Sequence, residues 1–275
     1  MWILTGFADE ISPDFEAQCR HLSELGLRYL ELRSAWDVNV IDLDCNQLCS
    51  AKKILASHGL AVSSIGSPIG KISIDEDFAP HLERMRHAAD VARFFHAPYI
   101  RIFSFFIPEG ADADSYRDEV LRRMRELTAV AEEAGVILLH ENEKDIYGDI
   151  PRRCLDIVES VGSDHLRLAW DAANFVQVGV RPFSEGYAQL RPHLEYMQIK
   201  DAVLTTGTVV PSGRGDGDSV ETVRALRRDG FDGFFSLEPH LTGADALGGS
   251  SGPELFTEAW RAFTHILNTE HISYA

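Results

Sequence analysis

Polar and apolar positions along the chain fall into two alternating textures. Short runs dense in Ile, Leu, Val, Phe and Tyr end abruptly in charged or amide residues, and each is followed by a longer segment of helical period. The runs are ILTGFADE (3–10), YLELRS (29–34), LAVSSIGS (60–67), YIRIFSF (99–105), VILLHEN (136–142), LRLAWDAANF (166–175), YMQIKDA (196–202) and FFSLEPH (234–240). Between them, Phe15, Cys19, Leu22 and Leu25 form one apolar stripe, with Ser12 expected to cap that helix and Pro13 to suit its first turn. Asp218 stands three residues before Glu221, the spacing of a capping box. Gly26, Gly59, Gly135 and Gly230 fall where a left-handed residue closes a helix.

Strand and helix alternate with a period of roughly thirty residues, the length of a βαβ unit, and the strands are too apolar to face water. This predicts an α/β chain folded as one (β/α)8 barrel, a TIM barrel, over residues 1–275. Its 45% hydrophobic content supplies the core for such a fold. No apolar run reaches the length of a membrane span, and the start MWILTGFADE lacks the basic and long apolar regions of a signal peptide, so a cytoplasmic protein with no membrane partner is expected. The cysteines Cys19, Cys45, Cys49 and Cys154 form no CxxC pair and read as packing residues of helices. A net charge of −17, with Lys and Arg scattered among acids, argues against a nucleic-acid partner and for a small molecule. Self-association into a homo-oligomer is compatible with everything above.

In a parallel barrel the functional side chains gather at the C-terminal ends of the strands. Here those ends carry Asp9 and Glu10, Arg33, Ser67, Arg101, Glu141, Asp171, Gln198 with Lys200, and Glu238 with His240. Glu141, Asp171, Gln198 and Glu238 end four successive runs, so folding brings them together. Two carboxylates about 4 Å apart repel by roughly 4 kcal/mol at an effective dielectric near 20, and a divalent cation is the economical neutraliser. Oxygen ligands favour Mn²⁺ or Mg²⁺, while Co²⁺, Fe²⁺ or Zn²⁺ also fit such a set. Arg101 and Lys200 are placed to touch a ligand or pair with a mouth acid. His240 shares the side of Glu238. GSPIGKIS (66–73) is one residue short of a nucleotide P-loop, and SGRGDGD (212–218) either offers backbone N–H groups and Arg214 to an anion at a helix start or forms a flexible turn into the capped helix. His140 alternates away from the ligand face and is expected to be hydrogen-bonded structurally, and Asp201 to hold Lys200 or a loop.

The segments HEN (140–142), WDAANF (170–175), QIKDA (198–202), GRGDGD (213–218), SLEPH (236–240) and SPIGK (67–71) resemble those of the xylose isomerase-like TIM barrels. That group includes sugar phosphate isomerases and epimerases, ketose 3-epimerases and inosose dehydratases, and the resemblance spans nearly the whole chain. It implies one metal held by Glu141, Asp171, position 198 and Glu238, and a loop over the site with Lys71 near substrate. Two positions depart from the pattern: Gln198 stands where many relatives have His, and Asn174 where epimerases often carry a substrate-contacting His. The implied activity is a metal-dependent isomerase or epimerase of a small sugar or polyol. Glu141 and Glu238 exchange a proton next to a carbonyl through a metal-bound enediolate. Loss of a β-substituent from that species makes a dehydratase or β-eliminating lyase the alternative. An endonuclease on the same barrel is disfavoured by the acidity and the few histidines at strand ends. A non-catalytic sugar-binding protein is disfavoured by the intact carboxylate set.

Overall fold

The computed structural model describes residues 1–244 and 248–275. Each of the eight apolar runs supplies one barrel strand: β1 (Ile3–Gly6), β2 (Tyr29–Leu32), β3 (Ala61–Ile65), β4 (Tyr99–Ile102), β5 (Ile137–Glu141), β6 (Leu166–Asp171), β7 (Leu194–Ile199) and β8 (Phe234–Leu237). They pair side by side in the order β1-β8-β7-β6-β5-β4-β3-β2, every pair parallel. The two ends of this sheet, β1 and β2, touch each other and bring the barrel nearly to closure. The main helices are α1 (Phe15–Glu24), α2 (Cys45–Ser57), α3 (Phe78–Phe95), α4 (Arg117–Ala134), α5 (Pro151–Val161), α6 (Ala172–Gln177), α7 (Ser219–Arg228) and α8 (Gly252–Thr269).

Strand residues alternate between two buried environments, which is why the runs look continuously apolar. Leu4, Leu30, Leu32, Ile100, Ile102, Leu138, Leu168, Trp170, Met197 and Phe235 join the main core with the helices. Each such large side chain contributes roughly 1.5–3 kcal/mol by leaving water. A separate cluster of Leu139, Ala169 and Tyr196, packed against Tyr99 and Phe234, fills the inside of the barrel. Above it, Ser63 hydroxyl lies 2.9 Å from both the Thr5 hydroxyl and the Tyr196 hydroxyl. The barrel is therefore plugged from within, and chemistry is confined to the C-terminal mouth.

Local signals were borne out unevenly. Gly26, Gly59, Gly135 and Gly230 all have positive φ at helix ends. The cap of α1 is Asp14, which accepts the Ala17 N–H at 2.7 Å, whereas Ser12 accepts the N–H of Asp14 itself at 3.1 Å. The capping box on α7 does not form: Asp218 has φ +53 and its carboxylate accepts the Phe183 N–H instead. Cys19 and Cys154 are buried as expected, but Cys45 and Cys49 are exposed on the solvent side of α2. No helix among the described residues is long and apolar enough to cross a membrane.

The loop after β3 shows a constraint that only glycine meets. Gly70 has φ +92, and a Cβ there would stand 2.0 Å from the Phe103 carbonyl oxygen. Its N–H is accepted by His81 Nε2 at 2.7 Å, so that ring nitrogen carries no proton. Burial first, then Arg84 and Arg123, lowers the His81 pKa from 6.5 to about 4. The unfolded chain therefore takes up this proton before the folded one as pH falls. The stability supplied by the neutral ring is complete above pH 6.5 and is lost progressively toward pH 4. Relative to wild type, His81→Leu is expected to start about 1–3 kcal/mol less stable at pH 7 and to lose less between pH 7 and 5. Urea denaturation at the two pH values checks this, and equal losses in both proteins would remove His81 as the cause.

Candidate active site

β5, β6 and β8 end in the acids that occupy the mouth. Glu141, Asp171 and Glu238 each present a carboxylate oxygen within 4.8 Å of the other two, and all three are buried. Asp171 is fixed by its neighbour strand: Asn142 Nδ2 donates to the Asp171 carbonyl at 2.8 Å, and the Asp171 N–H donates to Asn142 Oδ1 at 2.9 Å. The Asp171 side chain then caps α6, Oδ1 accepting the Asn174 N–H at 2.8 Å. Asn174 Nδ2 donates to the Asn142 carbonyl at 2.9 Å and reaches Glu141 Oε1 at 3.4 Å.

Cations interleave with these acids. Arg101 Nη1 lies 3.3 Å from Glu141 Oε2 and 3.4 Å from Glu238 Oε1. Arg33, gripped by Asp9 through two hydrogen bonds of 2.6 and 3.0 Å, reaches Glu238 Oε1 at 3.2 Å. Lys200 Nζ sits 2.9 Å from Asp171 Oδ2 and 3.0 Å from Glu238 Oε2. His240 Nε2 lies 3.3 Å from Glu238 Oε1 and 3.4 Å from Glu10 Oε1. Burial and then the charge of Glu238 push the Glu141 carboxyl well up, against Arg101. Burial also pushes Glu238 up, but Lys200, His240 and Arg101 together outweigh it and hold Glu238 well below the usual carboxylate range. Asp171 is raised to about 6 by burial, with Lys200 opposing. The two glutamates thus stand at opposite ends of the carboxylate range.

Gln198 occupies a different level from Glu238. In register it pairs with Asp171 on one side and Ser236 on the other, so Lys200, two residues on, takes the depth of Glu238. Gln198 Nε2 donates to Glu31 Oε2 at 3.1 Å, and its buried Oε1 has no hydrogen-bond partner among the described residues. Glu31 is fully buried and its carboxyl is pushed up by that burial, against Arg101. The mouth cavity, about 310 Å³, is lined by Glu141, Glu238, Lys200, Arg101, Asn174 and His240, and also by Lys71 and Arg33. Lys71 packs over the Phe103 ring and pairs with Glu143 at 3.3 Å.

Arg214 is not brought to this mouth. It is largely exposed and pairs with Glu258 on α8. The glycine loop that carries it holds an anion of the chain itself: Asp201 accepts N–H groups of Gly213, Gly215 and Gly217 at 2.9, 3.1 and 2.8 Å. Asp201 thereby anchors a loop, as expected, and the nest is spoken for. His140 is buried on the outer face with neither ring nitrogen hydrogen-bonded, contrary to the bonded role expected of it, and burial lowers its pKa to about 3. Gly148 packs close to that ring, and a Cβ there would stand 2.3 Å from His140 Cε1. Arg33 and Glu10, expected at the strand ends, join the cluster, and Glu31 and Asn142 are additions to it. Glu31 shares strand parity with Arg33, which was signal enough to turn it inward; nothing local marks Asn142 as the clamp on Asp171.

An eight-stranded parallel α/β barrel with ionisable groups collected at the C-terminal mouth defines the class, a TIM barrel with an enzyme-like site. The chain belongs to the xylose isomerase-like TIM barrel family, whose model matches residues 19–259. Over 160 residues it is 31% identical to 2-epi-5-epi-valiolone 7-phosphate 2-epimerase of Actinoplanes sp. strain SE50/110, covering 58% of this chain and 56% of that protein. The match thus spans little more than half the length of the relative. A xylose isomerase-like TIM barrel protein from Mycobacterium smegmatis, in complex with magnesium, superposes with a TM-score of 0.71 at 23% identity over 96% of this chain and 97% of that one. A D-tagatose 3-epimerase-like protein gives 0.79 at 14% identity, over 98% of each chain. These two likenesses establish the fold.

The Asn142 clamp makes a direct expectation. Asn142→Leu leaves the Asp171 N–H and carbonyl buried without partners, which costs roughly 2–4 kcal/mol. Urea unfolding measures it; a loss below about 0.5 kcal/mol would mean that the clamp does not hold Asp171.

Proposed function

We propose that the protein is a divalent-metal-dependent isomerase or epimerase of a small sugar or polyol, active as one barrel domain spanning the chain. The observation that carries this reading is the convergence of Glu141, Asp171 and Glu238 oxygens within 4.8 Å at the mouth of a sugar-sized cavity. The donor set fits a hard cation: three carboxylates, with the unpartnered Gln198 Oε1 as an amide oxygen from the strand between Asp171 and Glu238. Mn²⁺ or Mg²⁺ suits such oxygens best. When bound, the ion polarises a carbonyl and neighbouring hydroxyl and acidifies the C–H bond between them.

The rest of the chemistry belongs to the side chains. Glu238, which lines the cavity from β8, is a carboxylate fit to accept a proton from the substrate carbon. Glu141, which lines the same cavity from another strand, is fit to return one. Return to the opposite face of the same carbon gives an epimer, and return to the adjacent carbon gives an isomer. Arg101, Asn174, Lys71 and His240 line the cavity and orient the hydroxyls. The epimerase relative supports this reaction class.

Purified protein is expected to hold about one Mn²⁺ or Mg²⁺ per chain, and Asp171→Ala to lose it while keeping the barrel's circular dichroism. Elemental analysis reports the metal, and a metal-free wild type with metal-independent turnover would end the reading. Gln198→His should retain the ion and shift preference toward Co²⁺ or Zn²⁺; an unchanged preference removes Gln198 from the ligand set. In deuterium oxide a panel of keto-sugars should take up deuterium beside the carbonyl. Glu141→Gln and Glu238→Gln should each cut kcat by about 10²-fold or more while binding persists. Full-rate turnover by both variants refutes the two-glutamate scheme, and deuterium in an unsaturated or deoxygenated product reassigns the enzyme to the lyases.

A further inference from the structure

The oxygens that a metal must take at the mouth already have an occupant. Glu238 Oε1 is shared by Arg33, Arg101 and His240. Glu141 Oε2 faces Arg101, and Glu141 Oε1 lies 3.4 Å from Asn174 Nδ2, whose shorter bond goes to the Asn142 carbonyl. Asp171 Oδ1 is committed to capping α6. The carboxylate oxygens left outside these contacts are Asp171 Oδ2 and Glu238 Oε2, and Lys200 Nζ lies 2.9 and 3.0 Å from them. Lys200 is 5% exposed; it donates a hydrogen bond to Glu238 Oε2 and faces Asp171 Oδ2 as an ion pair.

Elementary electrostatics forbids sharing. A dication bound to both oxygens would stand close to the ammonium, in a buried site where like charges repel most strongly. Neither carboxylate can turn away cheaply, because Asp171 is held by Asn142 and the α6 cap and Glu238 by two arginines. The lysine, on a flexible four-carbon stem, is the group that can move.

We infer that Lys200 is the internal counter-cation of this site, occupying the Asp171 and Glu238 oxygens without metal and leaving them when a divalent ion enters. Lys200 is then a positioning residue that sets metal affinity: it stabilises the three buried carboxylates when the ion is away and lowers the net gain on binding. The inference rests on the reading of this cluster as a metal site, and the experiment separates the two.

Mn²⁺ alone is the probe, followed by calorimetry and by water-proton relaxation, on wild type, Lys200→Met and Lys200→Arg. Lys200→Met is expected to bind Mn²⁺ about tenfold or more tightly than wild type, since removing a buried cation beside the oxygens removes the competitor. Its melting temperature should be lower without Mn²⁺ and should rise more on adding it than that of wild type. Lys200→Arg keeps the charge and should show no such tightening. Unchanged or weaker binding by Lys200→Met, with a wild type that binds, overturns the inference and leaves the metal reading standing. Binding by Lys200→Met with none by wild type supports the inference and ends the reading of the native protein as a metalloenzyme, and binding by neither protein ends both. If Lys200→Met fails to fold, folding recovered by Mn²⁺ supports the inference; if it folds under neither condition, Lys200→Gln is judged by the same affinity criterion.

Discussion

Everything at the mouth depends on keeping carboxylates of three strands in one buried volume without mutual repulsion. The protein does this by interleaving: Arg101 stands between Glu141 and Glu238, Lys200 between Glu238 and Asp171, and Arg33 between Glu238 and Asp9. Breaking such an arrangement at one member leaves a buried charge uncompensated, which costs about 3–5 kcal/mol. The cluster is therefore both a functional device and a constraint on how the strand ends can be arranged.

The barrel supplies the rigidity that such a cluster needs. Tyr196, Leu139 and Ala169 fill its interior below the polar layer, so the strand ends cannot collapse inward. Asn142 ties β5 to β6 at the level where Asp171 leaves the sheet. Asp201 draws the glycine loop 213–217 onto the end of β7, directly after Lys200. A loop composed like an anion-binding segment is thus consumed in holding a residue of the site's own strand.

Much of this was legible in the residues. The eight strands, their parallel order and the barrel follow from alternation and spacing, and the mouth position of Glu141, Asp171, Lys200 and Glu238 follows from their place at run ends. Glu31 is readable from strand parity, since it lies two residues before Arg33 in the same run. The cap at Ser12 and the box at Asp218 failed because neighbouring residues competed: Asp14 offered a better carboxylate, and Asp218 took a left-handed backbone. Arg214 was misjudged because exposure and pairing with Glu258 depend on where α8 packs.

By itself the sequence determined the architecture and the chemical inventory, because period and polarity act within a few residues and need no knowledge of distant partners. Tertiary structure alone decided the pairing of that inventory. Barrel register set Gln198 opposite Asp171 and Ser236 and raised Lys200 to the depth of Glu238, so which oxygen meets which cation is fixed by the stagger between strands that lie far apart in sequence. A shift of one residue in that stagger would turn each of these side chains to the opposite face of the sheet.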